Sequence, residues 1–118
     1  MFVNLTDRPI LFMTEWETLR IPISSNKARV KLTKYTRSPL RDEAGHDFPV
    51  YRAEPGEIIG LPPQHDGKIH VHDGKIYIVN DDVARMTTRN DVVTADLENA
   101  VRDANGNVVA ITGFIQYH

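Results

Sequence analysis

The chain contains no cysteine. This absence excludes disulfide bonds, thiolate metal ligands and cysteine nucleophiles. Long apolar runs are also missing, since every such run is far shorter than the roughly 18–20 residues that a membrane-spanning helix needs. Residues 1–13 lack the basic start and the continuous apolar block of a secretory signal. We therefore expect a cytoplasmic protein without a membrane partner.

Sequence motifs that carry catalysis are missing as well. The chain has no G-x-S-x-G, no phosphate-binding P-loop and no G-x-G-x-x-G. The adjacent carboxylates Asp42-Glu43 and Asp81-Asp82 would diverge on a strand, and the second pair suits the start of a helix better than acid–base work. We assign no catalytic residue and expect a protein that binds rather than catalyses.

Neither sign of charge dominates, with 14 Lys and Arg against 16 Asp and Glu. This balance argues against a protein that coats nucleic acid, and we expect no sequence-specific DNA binding. The 118 residues, 41% of them hydrophobic, suffice for one domain that buries a core without disulfides. Residues 1–118 are therefore expected to form a single domain.

Strand-forming segments recur at intervals of roughly 8–12 residues, which is typical of small β proteins. The pattern predicts a mainly β fold, a small barrel or sandwich of about 8–10 short strands with at most one short helix. The predicted strands are Phe2–Leu5, Pro9–Met13, Thr18–Ile23, Lys27–Lys34, Phe48–Ala53, Glu57–Gly60, Lys68–His72, Lys75–Val79, Asp91–Ala95 and Asn107–Tyr117. The last of these is apolar on both faces, which predicts a strand at the centre of the fold.

The helix, the loop and the turns are predicted from local signals. A short helix is predicted over Asp81–Met86, with Asn80 as its N-cap, whereas an α+β fold would require a longer helix there. Residues 35–47 contain Ser-Pro, a charged run and a glycine, which predicts a long mobile loop. Asp73-Gly74 predicts a hairpin that joins the strands on either side of it, and Asn105-Gly106 predicts another.

Three histidines lie close together in the sequence. His70 and His72 would share one face of a strand, and His65 could supply a third ligand for zinc or another divalent metal. The alternative is the solvated face of a hairpin, and the absence of H-E-x-x-H favours it. We therefore expect no cofactor and keep the metal site as a minor hypothesis.

A basic strand provides a second hypothesis. Arg29 and Lys31 share one face of their predicted strand, and such a face can bind phosphate. With Tyr77 to stack on a base and Arg89 as a further phosphate contact, these residues predict a small nucleotide-binding protein that sequesters a phosphorylated signalling molecule. The alternatives are a solvated face and a structural turn pair of Arg89 with Asp91, and we favour the latter for Arg89.

The single tryptophan provides a third hypothesis. Trp16 lies in a polar stretch that predicts a hairpin tip or an edge. An exposed tryptophan there would anchor a protein partner. The alternative is a lid over one end of the core.

Several short motifs spread over most of the chain: Asn4-Leu5-Thr6-x-x-Pro9-Ile10, Ile76-Tyr77-Ile78-Val79 with Val83-Ala84, Arg89-x-Asp91-Val92 and Arg102-Asp103-x-Asn105-Gly106. They resemble the motifs of a group of small uncharacterised phage and prophage proteins, and the resemblance is strongest in the second and third. This chain departs from the group in having Asp7-Arg8 where a Pro-His pair is usual, and in its longer segment 35–47. The resemblance implies an accessory protein of the host cytoplasm and no catalytic residue.

Together these observations favour a non-enzymatic, phage-type accessory protein that binds a host or phage protein. Nucleotide capture and a divalent-metal site remain the alternatives. Self-association is compatible with the terminal strand, because a strand that is apolar on both faces can form an interface.

Overall fold

The computed structural model describes residues 1–62 and 74–117. The mainly β fold with one short helix is confirmed for these ranges. No helix among the described residues is long and apolar enough to cross a membrane. The elements are β1 (Phe2–Asn4), β2 (Ile10–Met13), β3 (Thr18–Ile21), β4 (Arg29–Arg41), β5 (Asp47–Ile59), β6 (Ile76–Ile78), α1 (Asp81–Met86), β7 (Val92–Ala95), β8 (Val101–Arg102), β9 (Val108–Ala110) and β10 (Phe114–Ile115).

A four-stranded sheet in the order β1-β6-β7-β10 forms the centre of the molecule. β6 runs parallel to both β1 and β7, whereas β10 is antiparallel to β7. Within the described ranges no sheet closes into a barrel. The predicted pairing of Lys75–Val79 with Lys68–His72 is wrong for β6, because β1 and β7 occupy both of its edges. Residues 68–72 themselves lie outside the described residues.

The helix covers one face of this sheet and begins and ends where the sequence predicts. Asn80 occupies the N-cap position in extended conformation, and the Asp82 carboxylate accepts a hydrogen bond from the Val83 amide. Acidic residues in the first turn also suit the positive end of the helix dipole. The core cluster consists of Leu5, Ala28, Val79, Val83, Ala84 and Val92.

The terminal run is not the central strand that its composition predicts. It divides into β9, which pairs with β8, and β10, which lies at the edge of the central sheet. Val108 and Val109 are largely exposed. The apolar residues of the run pack against different parts of the molecule. Phe114, for example, stacks on Phe2 and Phe12. The predicted Asn105-Gly106 turn is confirmed, with Gly106 at φ +82° between β8 and β9.

The longest element is a hairpin of β4 and β5, which we call the arm (residues 29–59). The sequence predicts separate short strands and a loop over 35–47, but both strands are 13 residues long and only residues 42–46 form the turn. Arg41 closes the turn through two bonds to Asp47. Pro39 falls at a register shift between Arg37 and Leu40, so its missing amide proton interrupts the ladder only locally. The prediction that 35–47 is a loop is therefore wrong.

The arm makes the molecule elongated. The Cα radius of gyration is 18.3 Å, whereas a compact chain of this length would have about 13–14 Å. The arm thus projects from the core formed by the central sheet and helix.

Candidate functional site

Nearly the whole arm is exposed. Every side chain of β4 beyond Val30 is exposed, and β5 is partly covered at Val50 and near its C-terminal end. Five large apolar or aromatic side chains are therefore exposed on the arm: Leu32, Tyr35, Leu40, Phe48 and Tyr51.

The strand register places several of these side chains on one face. Phe48, Val50 and Arg52 alternate along β5, so they point to the same side of the arm. Their partners across the ladder are Leu40, Arg37 and Tyr35, respectively. The Arg52 guanidinium lies over the Tyr35 ring, 5.3 Å from its centroid. The resulting arm face is apolar at its tip, around Leu40 and Phe48, and basic just behind it.

The charges of the arm are partly paired. Arg41 pairs with Asp47 at 2.7 Å, which lowers the pKa of the Asp47 carboxyl. Arg52 pairs with Glu54 at 2.8 Å. Lys34 and Arg37 have no ion pair or side-chain hydrogen bond within the described residues. Arg37, beside the apolar tip, and Lys34, on the opposite face of the arm, are therefore available to a partner.

A cleft of about 490 Å³ lies at the carboxyl ends of the parallel strands β6 and β7. The ends of parallel strands commonly leave a crevice, because the chain departs from the sheet there in different directions. Here β6 continues into α1, and β7 continues into the turn before β8. The apolar lining residues are Pro9, Ile10, Leu11, Ile78, Val79, Ala95, Leu97, Val108, Val109, Ala110, Ile111 and Ile115.

Asn4 fixes one wall of the cleft. Its side-chain amide donates to the carbonyls of Arg8 and Ile21, and its carbonyl oxygen accepts from the amide and the hydroxyl of Thr6. The buried Asn4 therefore holds the turn that carries residues 6–9 along the cleft.

Half of the polar residues that line the cleft are acidic. Asp7 pairs with Lys27 and Asp81 pairs with Arg85. Asp96 and Glu98 have no ion pair within the described residues. A hydrogen bond from the Asn99 side chain lowers the pKa of Asp96, so this group is ionised at neutral pH. The carboxylate of Glu98 has no bonding partner in residues 1–62 and 74–117. The rim is therefore anionic.

The four residues of the nucleotide hypothesis lie in two separate parts of the structure, and Arg89 and Tyr77 form one of them. Arg89 donates two hydrogen bonds to Asp91, at 3.0 and 2.8 Å, and a third to the Pro62 carbonyl. Its guanidinium also lies 5.6 Å from the centroid of Tyr77. This geometry fits the structural role that we favour for Arg89.

Arg29 and Lys31 lie instead at the exposed base of the arm. None of Arg29, Lys31, Tyr77 and Arg89 lines the cleft. The nucleotide site stays a prediction.

Trp16 lies in the turn between β2 and β3 and is 89% exposed. The Thr14 hydroxyl oxygen accepts from the amides of Trp16 and Glu17, which shapes this turn. The lid interpretation is therefore wrong, whereas the partner-anchor role stays a prediction.

The metal hypothesis lies outside the structure's described ranges, because His65, His70 and His72 are all among residues 63–73. In the described part of the chain no group of three or more His, Asp or Glu residues is placed to hold a metal ion. The metal site therefore stays a prediction.

Sequence reasoning missed both the arm and the cleft. Residues with a preference for strands do continue past Lys34, at Tyr35 and Thr36, but Ser38-Pro39 and the adjacent charges favoured a loop. The cleft had no such signal, since its walls come from segments distant in sequence that meet only through the parallel pairing of β6 and β7.

Searches against protein-family models, curated proteins and solved structures gave no match to this chain. The arm and the cleft are therefore the features of the molecule from which a function can be inferred.

Proposed function

We propose that this chain is a non-enzymatic accessory protein, of the phage type that its motifs resemble, and that it acts by binding another protein chain through the arm. The observation that carries the proposal is the exposure of the arm along most of its length. A two-stranded hairpin alone is marginally stable in water. A partner that covers the arm would stabilise it by burying its apolar side chains.

The composition of the arm favours a protein partner. Aromatic and arginine side chains are enriched in the parts of protein interfaces that contribute most to affinity, and the arm exposes Tyr35, Phe48 and Tyr51 near Arg37.

The backbone of the arm offers a second mode of contact. In a two-stranded hairpin each strand has one edge without a neighbour, and such edges can accept a strand from another chain. Main-chain hydrogen bonds would then provide affinity, and the alternating side chains would provide specificity.

A variant with a shortened arm tests this function. Replacing residues 34–53 with Asn-Gly keeps Thr33 opposite Glu54 as the last pair and closes the hairpin with a favoured two-residue turn. In affinity capture from a lysate of the native cell, we expect the full chain to retain specific proteins that this variant does not retain. Trp16→Ala serves as the control for a different exposed aromatic.

Thermal unfolding of the shortened variant must first show an intact core. If the folded variant then captured the same proteins as the full chain, the arm would not be the binding element and the proposal would be wrong.

A further inference from the structure

We propose that the partner of the arm is a second copy of this chain, whose cleft receives the tip of the arm. This inference rests on the proposed function, because it names the chain that the arm binds.

The apolar surfaces of the tip and the cleft are complementary in character. Leu40 and Phe48 lie opposite each other at the tip and are 65% and 51% exposed. The cleft has a mainly apolar lining, and Leu97 and Val109 remain exposed at its mouth. Its volume of about 490 Å³ lies in the range of natural binding pockets and can hold several side chains. Docking would bury apolar surface on both copies.

The charges are complementary as well. Arg37 lies behind the tip on the same face as Leu40 and Phe48 and has no ionic partner among the described residues. The cleft carries Asp96 and Glu98 at its rim. Opposite charges at the margin of an interface accelerate association and fix its orientation. Self-association should therefore weaken as salt concentration rises, because these charges are exposed and screened.

The tip and the cleft are distinct surfaces of one chain. None of the residues that line the cleft belongs to the arm. Each copy can therefore donate its arm to one neighbour and receive the arm of another. Such a head-to-tail contact produces a ring when the rotation closes and a filament when it does not.

Two variants separate donor from acceptor. The tip variant carries Leu40→Ser and Phe48→Ser, and the cleft variant carries Leu97→Ser and Val109→Ser. All four side chains are exposed, so both variants should fold, which circular dichroism and thermal unfolding would check. The oligomeric state of the purified proteins would be measured by size-exclusion chromatography with light scattering.

We expect the wild-type chain to form a dimer, in which two copies exchange arms, or a larger assembly, and we expect each variant alone to be monomeric. An equimolar mixture should give a heterodimer and nothing larger, because only the intact arm of the cleft variant can enter the intact cleft of the tip variant. An arm-to-arm contact would not produce this pattern.

Three results would overturn the inference: a monomeric wild-type chain at the highest soluble concentration, a cleft variant that assembles like the wild type, or a mixture that stays monomeric. The lysate experiment separates this failure from failure of the proposed function. If a different protein is captured in an arm-dependent way, the arm still binds a partner and only its identity as a second copy is wrong.

Discussion

At the scale of single residues, several polar side chains that the sequence motifs contain have structural roles. Asn4 holds the turn at the cleft, and Arg89 pairs with the buried Asp91. Arg102 donates to the carbonyls of Leu97 and Gly106, which ties the β8–β9 hairpin to the preceding turn. Asn4, Arg89 and Arg102 therefore each contribute to the fold.

Arg89→Ala should destabilise the protein severely. Asp91 is only 3% exposed, and removing its cation leaves a buried charge without its partner, which typically costs about 3–5 kcal/mol. The free energy of unfolding from urea titration measures the effect. Arg41→Ala is the matched control, since it breaks an ion pair that is exposed on both sides and should not shift the urea midpoint measurably. Equal behaviour of the two variants would contradict the structural role of Arg89.

Gly60→Ala should cost more stability than Gly45→Ala. Both glycines have a positive φ, +86° and +85°, where a side chain adds about 1–2 kcal/mol. A Cβ at position 60 would also lie 2.2 Å from the Lys27 carbonyl oxygen, whereas a Cβ at position 45 meets nothing within 4 Å. Urea unfolding of both variants gives the comparison, and equal losses would show that Gly60 is not in close contact with the Lys27 backbone.

At the scale of elements, local signals predicted the short strands and the helix, because their patterns and caps lie within a few residues. They failed for the arm, where Ser38-Pro39 suggested a break that the register shift accommodates. They also failed for β10, because its apolar residues could not reveal that Phe114 stacks on two other segments rather than continuing β9. Which strands become neighbours is decided by long-range pairing, which the sequence pattern does not encode.

The attachment of the C-terminal segment to α1 should depend on pH. The Tyr117 hydroxyl donates to Asp81, which lowers the pKa of Asp81 together with Arg85 and raises the pKa of Tyr117 above 10.0. For Asp81, the stabilisation is complete above its unfolded-state pKa and is lost as the pH falls through the lowered value. For Tyr117, the stabilisation is complete below the unfolded-state pKa of 10.0 and is lost as the pH rises through the raised pKa of the folded state.

NMR titration of a tyrosine-labelled sample would test this contact. We expect Asp81→Asn to bring the pKa of Tyr117 back towards 10.0. Tyr51, which lies on the arm, is the internal control, and its ring signals should be the same in both proteins. An unchanged Tyr117 titration in the variant would show that the contact with Asp81 does not form in solution.

At the scale of the whole molecule, the sequence predicted a protein that binds rather than catalyses. The exposed arm is the surface that we propose for this binding. The sequence could not predict the cleft, since its walls become adjacent only in the folded sheet. The site residues named from local patterns, Trp16 apart, lie at the base of the arm, around the Arg89–Asp91 pair or outside the described residues. We therefore propose the tip of the arm as the surface that contacts another protein.

The most direct test places the photo-crosslinking residue p-benzoylphenylalanine at position 48 in the full chain and illuminates it in the native cell. Position 23 is the control, because Ile23 and Phe48 are both 51% exposed but only Phe48 lies on the arm. We predict a discrete crosslinked protein product from position 48 and none from position 23. No product from position 48, or the same products from both positions, would contradict the account.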